Sequence, residues 1–291
     1  DVQSHMSPDD HFADLKRLIA AAGNKPYRIT VIMPYLYEGR QHRRTTRESL
    51  DAAIALKELY ELGVHNILTF DAHDPRVVNA APVASFDNVM PTYQMLKALL
   101  KTQPDIRIDK DHFMIIAPDE GAADRSIYYA SMMGLDLGLF YKRRDYSTIV
   151  DGRNPIVAHE YLGDSVEGKD VLIPDDILAT GESMLDIARE LRRRKAGRVF
   201  LATTFALFTK GYEVFDKAYE DGLFDMLYST NLTSLPPELK TRPWFTEVNV
   251  SKYISLLIAT LNHDASISGL LNPGERIDAL LARHSQKQLA R

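Results

Sequence analysis

The stretch from Val171 to Ser183 constrains the fold more than any other part of the chain. An apolar run, Val171-Leu172-Ile173, is followed by Pro174 and two adjacent carboxylates, Asp175 and Asp176. A short loop, Ala179-Thr180-Gly181-Glu182-Ser183, comes next, and helical spacing of Met184, Ile187, Ala188 and Leu191 begins immediately. This is the order of a buried strand, a ligand-facing turn and a helix N-terminus. In α/β folds ligands sit beyond the carboxyl ends of strands, and a helix N-terminus favours an anion. The carboxylates can hold sugar hydroxyls or a metal, and the loop can offer N–H groups and hydroxyls to a phosphate. The Asp-Asp pair alone fits a solvated strand end equally well; the loop and helix behind it move the balance toward binding.

The same alternation of short β-branched runs and helical spacing recurs along all 291 residues, so an α/β fold with mainly parallel sheets is expected. Ser7-Pro8-Asp9-Asp10 reads as a helix start. Arg28–Met33, Val64–Phe70, Phe113–Ala117, Leu137–Phe140, Val199–Thr203 and Met226–Thr230 read as strands. Thr45 and Glu48 have the spacing of a capping box before a helix that Gly63 ends. Residues 146–166 show no period and read as a loop. The expected division is 1–105, 106–253 and a C-terminal helical segment, 254–291, with a linker in Thr102–Asp111. Hydrophobic residues make up 45% of the chain, charged residues 26%, and the net charge is −5. That balance offers no basic field for nucleic acid, and no apolar run is long enough for a membrane span. The absence of cysteine removes disulfides, thiolate metal sites and a Cys nucleophile, and with no signal-peptide pattern at its start the chain is expected in the cytoplasm.

Several other segments can carry chemistry. Lys142-Arg143-Arg144 follows a strand; cations placed so can neutralise charge that develops in phosphoryl transfer, though a solvated basic turn has the same composition. The run Arg192–Lys195 sits at a helix C-terminus, where the dipole explains it. His73 and Asp119 each follow a strand, and an imidazole with a carboxylate can share a divalent ion. Tyr35 to Arg44 mixes aromatics with guanidinium groups, which suits a purine and its phosphates.

In order, these segments resemble the ribose-phosphate pyrophosphokinase (PRPP synthetase) family. Pro34-Tyr35 through Arg43 is similar to its P-Y-x-x-x-A-R-Q-D-[RK] stretch, and Asp71-Ala72-His73-Asp74 to its D-L-H-A motif. Pro118-Asp119-Glu120-Gly121 with Arg125 resembles S-P-D-x-G-x-x-x-R. Lys142-Arg143-Arg144 resembles the K-R-R that opens its flexible loop, and Asp175–Ser183 its PRPP-binding motif. The resemblance implies two tandem phosphoribosyltransferase-like domains and a transfer of diphosphate from ATP to ribose 5-phosphate, giving PRPP and AMP. It further implies Lys142 and Arg144 as catalytic cations, and Arg40, Gln41 and His42 at ATP. His73 and Asp119 fall at Mg²⁺. Asp175, Asp176, Ala179, Thr180, Gly181, Glu182 and Ser183 fall at ribose 5-phosphate. A homo-oligomer built on dimers, up to a hexamer, is also implied. The chain departs from the family pattern at His42 (usually Asp), Arg76 (usually Gln), Ala179 (often Asp), Glu182 (Gly) and Phe205 (His), and the family's N-terminal strands with their F-x-D-G-E loop have no counterpart before Asp1, so the 1–105 domain is expected to lack its first strands. Glu182 puts a negative charge beside a phosphate loop unless its side chain turns outward or pairs with a cation such as Lys142 or Arg144. The alternatives are a non-catalytic PRPP synthetase-associated paralogue and a phosphoribosyltransferase.

Overall fold

The structure, a computed structural model, describes residues 6–23, 25–82, 85–144 and 156–289, with the backbone alone at 142–144 and 156–159. Two compact units emerge. One comprises Asp1–Pro91 with Leu232–Ser234, the other Thr92–Asn231 with Leu235–Arg291.

In the first unit, α1 (Pro8–Ala22) begins at the expected cap: Ser7 Oγ accepts the Asp10 N–H at 3.1 Å, and Asp10 reaches back to the Ser7 N–H. Then come β1 (Thr30–Met33), α2 (Asp51–Glu61), β2 (Asn66–Phe70) and β3 (Ser85–Val89). The strands form a parallel sheet in the order β1-β2-β3. Its core joins Phe12, Leu56, Leu59 and Ile67. The Thr45–Glu48 pair does not cap α2. Glu48 accepts the Thr45 N–H at 3.4 Å, but the helix starts at Asp51 without a side-chain cap.

The second unit contains α3 (Thr92–Thr102), β4 (Phe113–Ala117), α4 (Ala123–Met133), β5 (Leu137–Arg144), β6 (Ile156–Leu162), β7 (Asp170–Leu178), α5 (Glu182–Arg193), β8 (Val199–Ala206), α6 (Glu213–Glu220), β9 (Met226–Thr230), β10 (Phe245–Val248), α7 (Ser251–Asn262), α8 (Ser268–Leu271) and α9 (Gly274–Leu289). Its seven-stranded sheet runs β10-β9-β8-β7-β4-β5-β6, all parallel except β6. β8 is buried along its whole length, as a central parallel strand should be.

Three features differ from the sequence expectations. The junction falls between Pro91 and Thr92 rather than at 105/106, because α3 packs on β9, β10 and α9, and Thr102 Oγ1 meets Tyr228 Oη at 2.6 Å. Residues 102–111 are not a linker between units. His284 Nε2 and Gln288 Nε2 lie 2.7 and 2.6 Å from the Ile106 carbonyl, and Arg198 pairs with Asp105 at 3.0 Å. Residues 254–291 pack as part of the same unit. Within 146–166, expected to be irregular, residues 156–162 form β6. It pairs antiparallel with β5 and slips register between Arg143 and Arg144. Residues 145–155 lie outside the described residues.

Candidate active site

β7 lies between β8 and β4, and its carboxyl end carries the paired acids. The strand does not stop at them. Asp175 pairs in register with Thr203, and pairing continues through Ile177↔Phe205 to Leu178↔Ala206. Asp176 is only 4% exposed, and its carbonyl accepts from Thr203 Oγ1 at 3.1 Å. Asp175 Oδ1 accepts the Asp176 N–H at 2.9 Å.

The counter-charge comes from α4. The Arg125 guanidinium is buried, with Nη1 at 3.6 Å from Asp175 Oδ1 and 3.5 Å from Asp176 Oδ1. Asp119 follows β4, the neighbour of β7, so it reaches the same edge of the sheet. Its Oδ1 accepts the Ala122 N–H at 3.2 Å. Burial, above all, pushes the Asp175 carboxyl well above the usual carboxylate range. Asp176 and Asp119 add repulsion, and Arg125 opposes them. A buried cation therefore faces a surplus of negative charge at the end of two adjacent strands, an arrangement typical of functional clefts.

The loop beyond β7 is held from the β8 side, where Leu207 N–H donates to Leu178 O at 2.8 Å and Thr209 N–H to Ala179 O at 2.9 Å. Gly181 caps α5 with φ of +80°, and a Cβ there would overlap the Phe215 ring, so both conformation and space require glycine. The N-cap residue itself, Gly181, brings no side chain to the first turn of α5. Its leading N–H groups have no intrahelical partner, and an anion is the chemistry that satisfies them. Thr180 Oγ1 accepts from Glu182 N–H at 3.4 Å, and Ser183 is exposed. Glu182 turns outward and pairs with Lys210 at 3.0 Å, both side chains being well exposed. Of the two geometries open to Glu182, the outward one is found, with Lys210 rather than Lys142 or Arg144 as the cation.

In the first unit, Asp71 to Arg76 form a tight turn after β2. Asp71 is buried with φ of +42°, a conformation that aspartate tolerates better than most side chains. Asp74 takes a forked pair of bonds from Arg76, with Nη2 2.5 Å from Oδ2, and His42 Nε2 sits 3.1 Å from the same oxygen. The Arg76 hydrogen bonds hold the Asp74 carboxyl down at about 2. The His42 and His73 rings meet edge-on at 5.7 Å.

This chain matches the phosphoribosyl transferase domain over residues 94–237 and the N-terminal domain of ribose phosphate pyrophosphokinase over residues 2–63. A ribose-phosphate pyrophosphokinase of Vibrio parahaemolyticus is 28% identical over 280 residues, covering 93% of this chain and 82% of the relative. One from Chromobacterium violaceum is 29% identical over 89% of this chain and 72% of its own length. The chain belongs to the ribose-phosphate pyrophosphokinase family. The crystal structure of phosphoribosylpyrophosphate synthetase from Mycobacterium smegmatis has the same fold, with a TM-score of 0.74 at 18% identity over 88% of this chain and 79% of that one.

Within this pyrophosphokinase-family fold, Asp119, Asp175, Asp176 and the 179–183 loop come together at one sheet edge. β5 runs parallel to β4, so its last residues, 142–144, still paired with β6, lie toward the same end of the sheet; the side chains of Lys142 and Arg144 lie outside the described residues. His73 belongs to the other unit. Arg40 is exposed, whereas the Gln41 side chain donates to Ser49 O at 3.0 Å. Tyr37, offered by the sequence as a stacking group for a base, stacks on Phe12 at 4.3 Å and donates to Asp9 at 2.7 Å, which pushes its hydroxyl up to about 12. Arg125 was visible as the last letter of a motif, but its role as the shared counter-ion depends on a long-range contact.

Among the described residues, no group of three or more His, Asp or Glu could hold a metal on its own. No helix among the described residues is long and apolar enough to cross a membrane.

Proposed function

We propose that this protein transfers the diphosphoryl group of ATP to the 1-hydroxyl of ribose 5-phosphate, giving PRPP and AMP. The observation that carries the proposal is the end of β7: two carboxylates on one buried arginine, next to a helix whose N-cap is a glycine with no side chain to offer the first turn. Asp175 and Asp176 accept hydrogen bonds from the ribose hydroxyls. The 5-phosphate lies on the N–H groups of Gly181–Ser183, with the Thr180 and Ser183 hydroxyls beside it. The 1-hydroxyl oxygen forms a bond to the β-phosphorus as the bond to the α-phosphate bridging oxygen breaks, and the hydroxyl proton is released.

Little covalent chemistry falls to the protein, which positions both substrates and neutralises charge. Lys142 and Arg144 stabilise the transferring group. Arg40 and Gln41 hold ATP, while His42, expected beside them, turns its ring to Asp74 at 3.1 Å and supports them from behind. His73 in one unit and Asp119 in the other are each candidate ligands to Mg²⁺, which when bound would neutralise the phosphate chain. A dimer-based homo-oligomer in the cytoplasm completes the reading. The Glu182–Lys210 pair favours an active enzyme over a non-catalytic paralogue, since it draws the one added carboxylate off the phosphate loop.

The test is to incubate the protein with ATP, Mg²⁺ and ribose 5-phosphate and to follow AMP. AMP should form in step with PRPP, and Lys142→Ala should lower kcat by about 10³-fold. No AMP at millimolar substrates would overturn the proposal.

A further inference from the structure

Three polar residues from two segments of the first unit, His42, Asp74 and Arg76, come together. All three meet on one carboxylate. His42 Nε2 is 3.1 Å from Asp74 Oδ2. Arg76 Nε lies 2.9 Å from Oδ1 and 3.1 Å from Oδ2, and the Arg76 backbone N–H donates to Oδ1 at 2.9 Å.

The arginine–aspartate fork is local and its outer side is solvated. The His42–Asp74 contact is neither: both side chains are about nine-tenths buried, at 10% and 9% exposure. It ties the segment after β1 to the turn after β2. Such a contact does not tolerate piecemeal change. Asp at position 42 would set two carboxylates against each other in a buried place. Ala at position 74 would strip His42 Nε2 of its acceptor, while Nδ1 is already buried without a hydrogen-bond partner. Each of the three residues therefore depends on the others.

The neighbours give the group its consequence. His42 directly follows Arg40 and Gln41, and Gln41 is pinned through Ser49. The His42 ring also braces the His73 ring edge-on. We propose that His42, Asp74 and Arg76 act as one positioning unit that sets the Arg40–Gln41 segment against His73, and so governs the nucleotide side of the reaction rather than the sugar side. The inference rests on the ATP reading above.

The experiment measures KM for ATP, KM for ribose 5-phosphate and kcat on the full chain. His42→Asp should raise KM for ATP about tenfold and leave KM for ribose 5-phosphate unchanged. Adding Asp74→Ala to it should bring KM for ATP back to within about threefold of the starting protein, a coupling that independent sites do not show. Should His42→Asp fail to fold, His42→Gln and His42→Ala decide the matter. Gln keeps an N–H donor near the Nε2 position and should stay within about threefold, whereas Ala should lose about tenfold. A double variant no better than His42→Asp, or Gln and Ala variants that behave alike, would overturn the proposal. A protein that binds ATP by calorimetry yet forms no AMP would overturn the proposed reaction alone; the same variants would then be compared by ATP affinity. Loss of ATP binding in the unaltered protein would overturn both.

Discussion

The carboxylates at the end of β7 and the carboxylate in the turn after β2 sit in opposite electrostatic settings. Asp175 and Asp176 share one arginine with Asp119 close by, and the Asp175 carboxyl is pushed well above its usual range. Asp74 has an arginine fork and an imidazole to itself and is held down at about 2. In the turn the protein supplies everything that the carboxylate needs. On β7 burial and the neighbouring acids outweigh the one arginine, which is what raises the Asp175 carboxyl. Strain or unmet charge at one place, against satisfaction elsewhere, is how a binding site differs from its scaffold.

The largest effect that would test this contrast is on sugar binding. Replacing Asp175 and Asp176 together by Asn should weaken ribose 5-phosphate binding about a thousandfold, since charge-assisted hydrogen bonds worth about 1.5–3 kcal/mol each are lost. Calorimetry reads this directly, and a folded double variant with unchanged affinity would end the assignment. Next comes Arg125→Ala, which leaves the two acids without their cation. It should cost about 3–5 kcal/mol in urea unfolding near neutral pH, and less as the pH falls and the carboxyls take up protons. A loss independent of pH would show that packing, not charge, is the role of Arg125.

The acid limb of stability comes third. Because the folded-state value of Asp74 is depressed, its contribution is complete above the ordinary carboxylate pKa. It should fade between about pH 4 and pH 2, at about 2 kcal/mol. Asp175 has the opposite sign: its raised value makes stability fall as pH rises through it. Asp74→Asn should flatten the acid limb, and Asp175→Asn the upper one. Equal pH profiles in the two variants would erase the distinction between the regions. The smallest effect belongs to Glu182→Gly. With its carboxylate on Lys210, the change should move ribose 5-phosphate affinity by less than about twofold, with little dependence on salt.

The two regions also differ in how much of them could be read from the sequence. The β7–α5 unit is contiguous, so strand, acids, left-handed glycine and helix follow one another in the order of the letters. The network on Asp74 joins residues on separate segments, and nothing in the local pattern around His42 announces its partner. β6 escaped for a related reason: as an edge strand it lacks the polar–apolar alternation of a half-buried strand and owes its place to pairing with β5. α3 follows the first unit directly in sequence, yet its apolar face is claimed by β9, β10 and α9. Its membership was decided by packing far along the chain.

The aromatic floor beneath Gly181 gives this protein an optical property. Phe215, whose ring leaves no room for a side chain at Gly181, stacks on Trp244 with centroids 5.7 Å apart, and Phe224 and Phe245 close around the indole. Trp244 is the only tryptophan in 291 residues and is fully buried. Its emission therefore comes from the second unit alone and originates one ring away from the loop assigned to the sugar phosphate. Excited at the red edge, the first unit is dark, so a shift in that emission on melting dates the collapse of the loop's foundation, whatever the nucleotide half of the chain is doing.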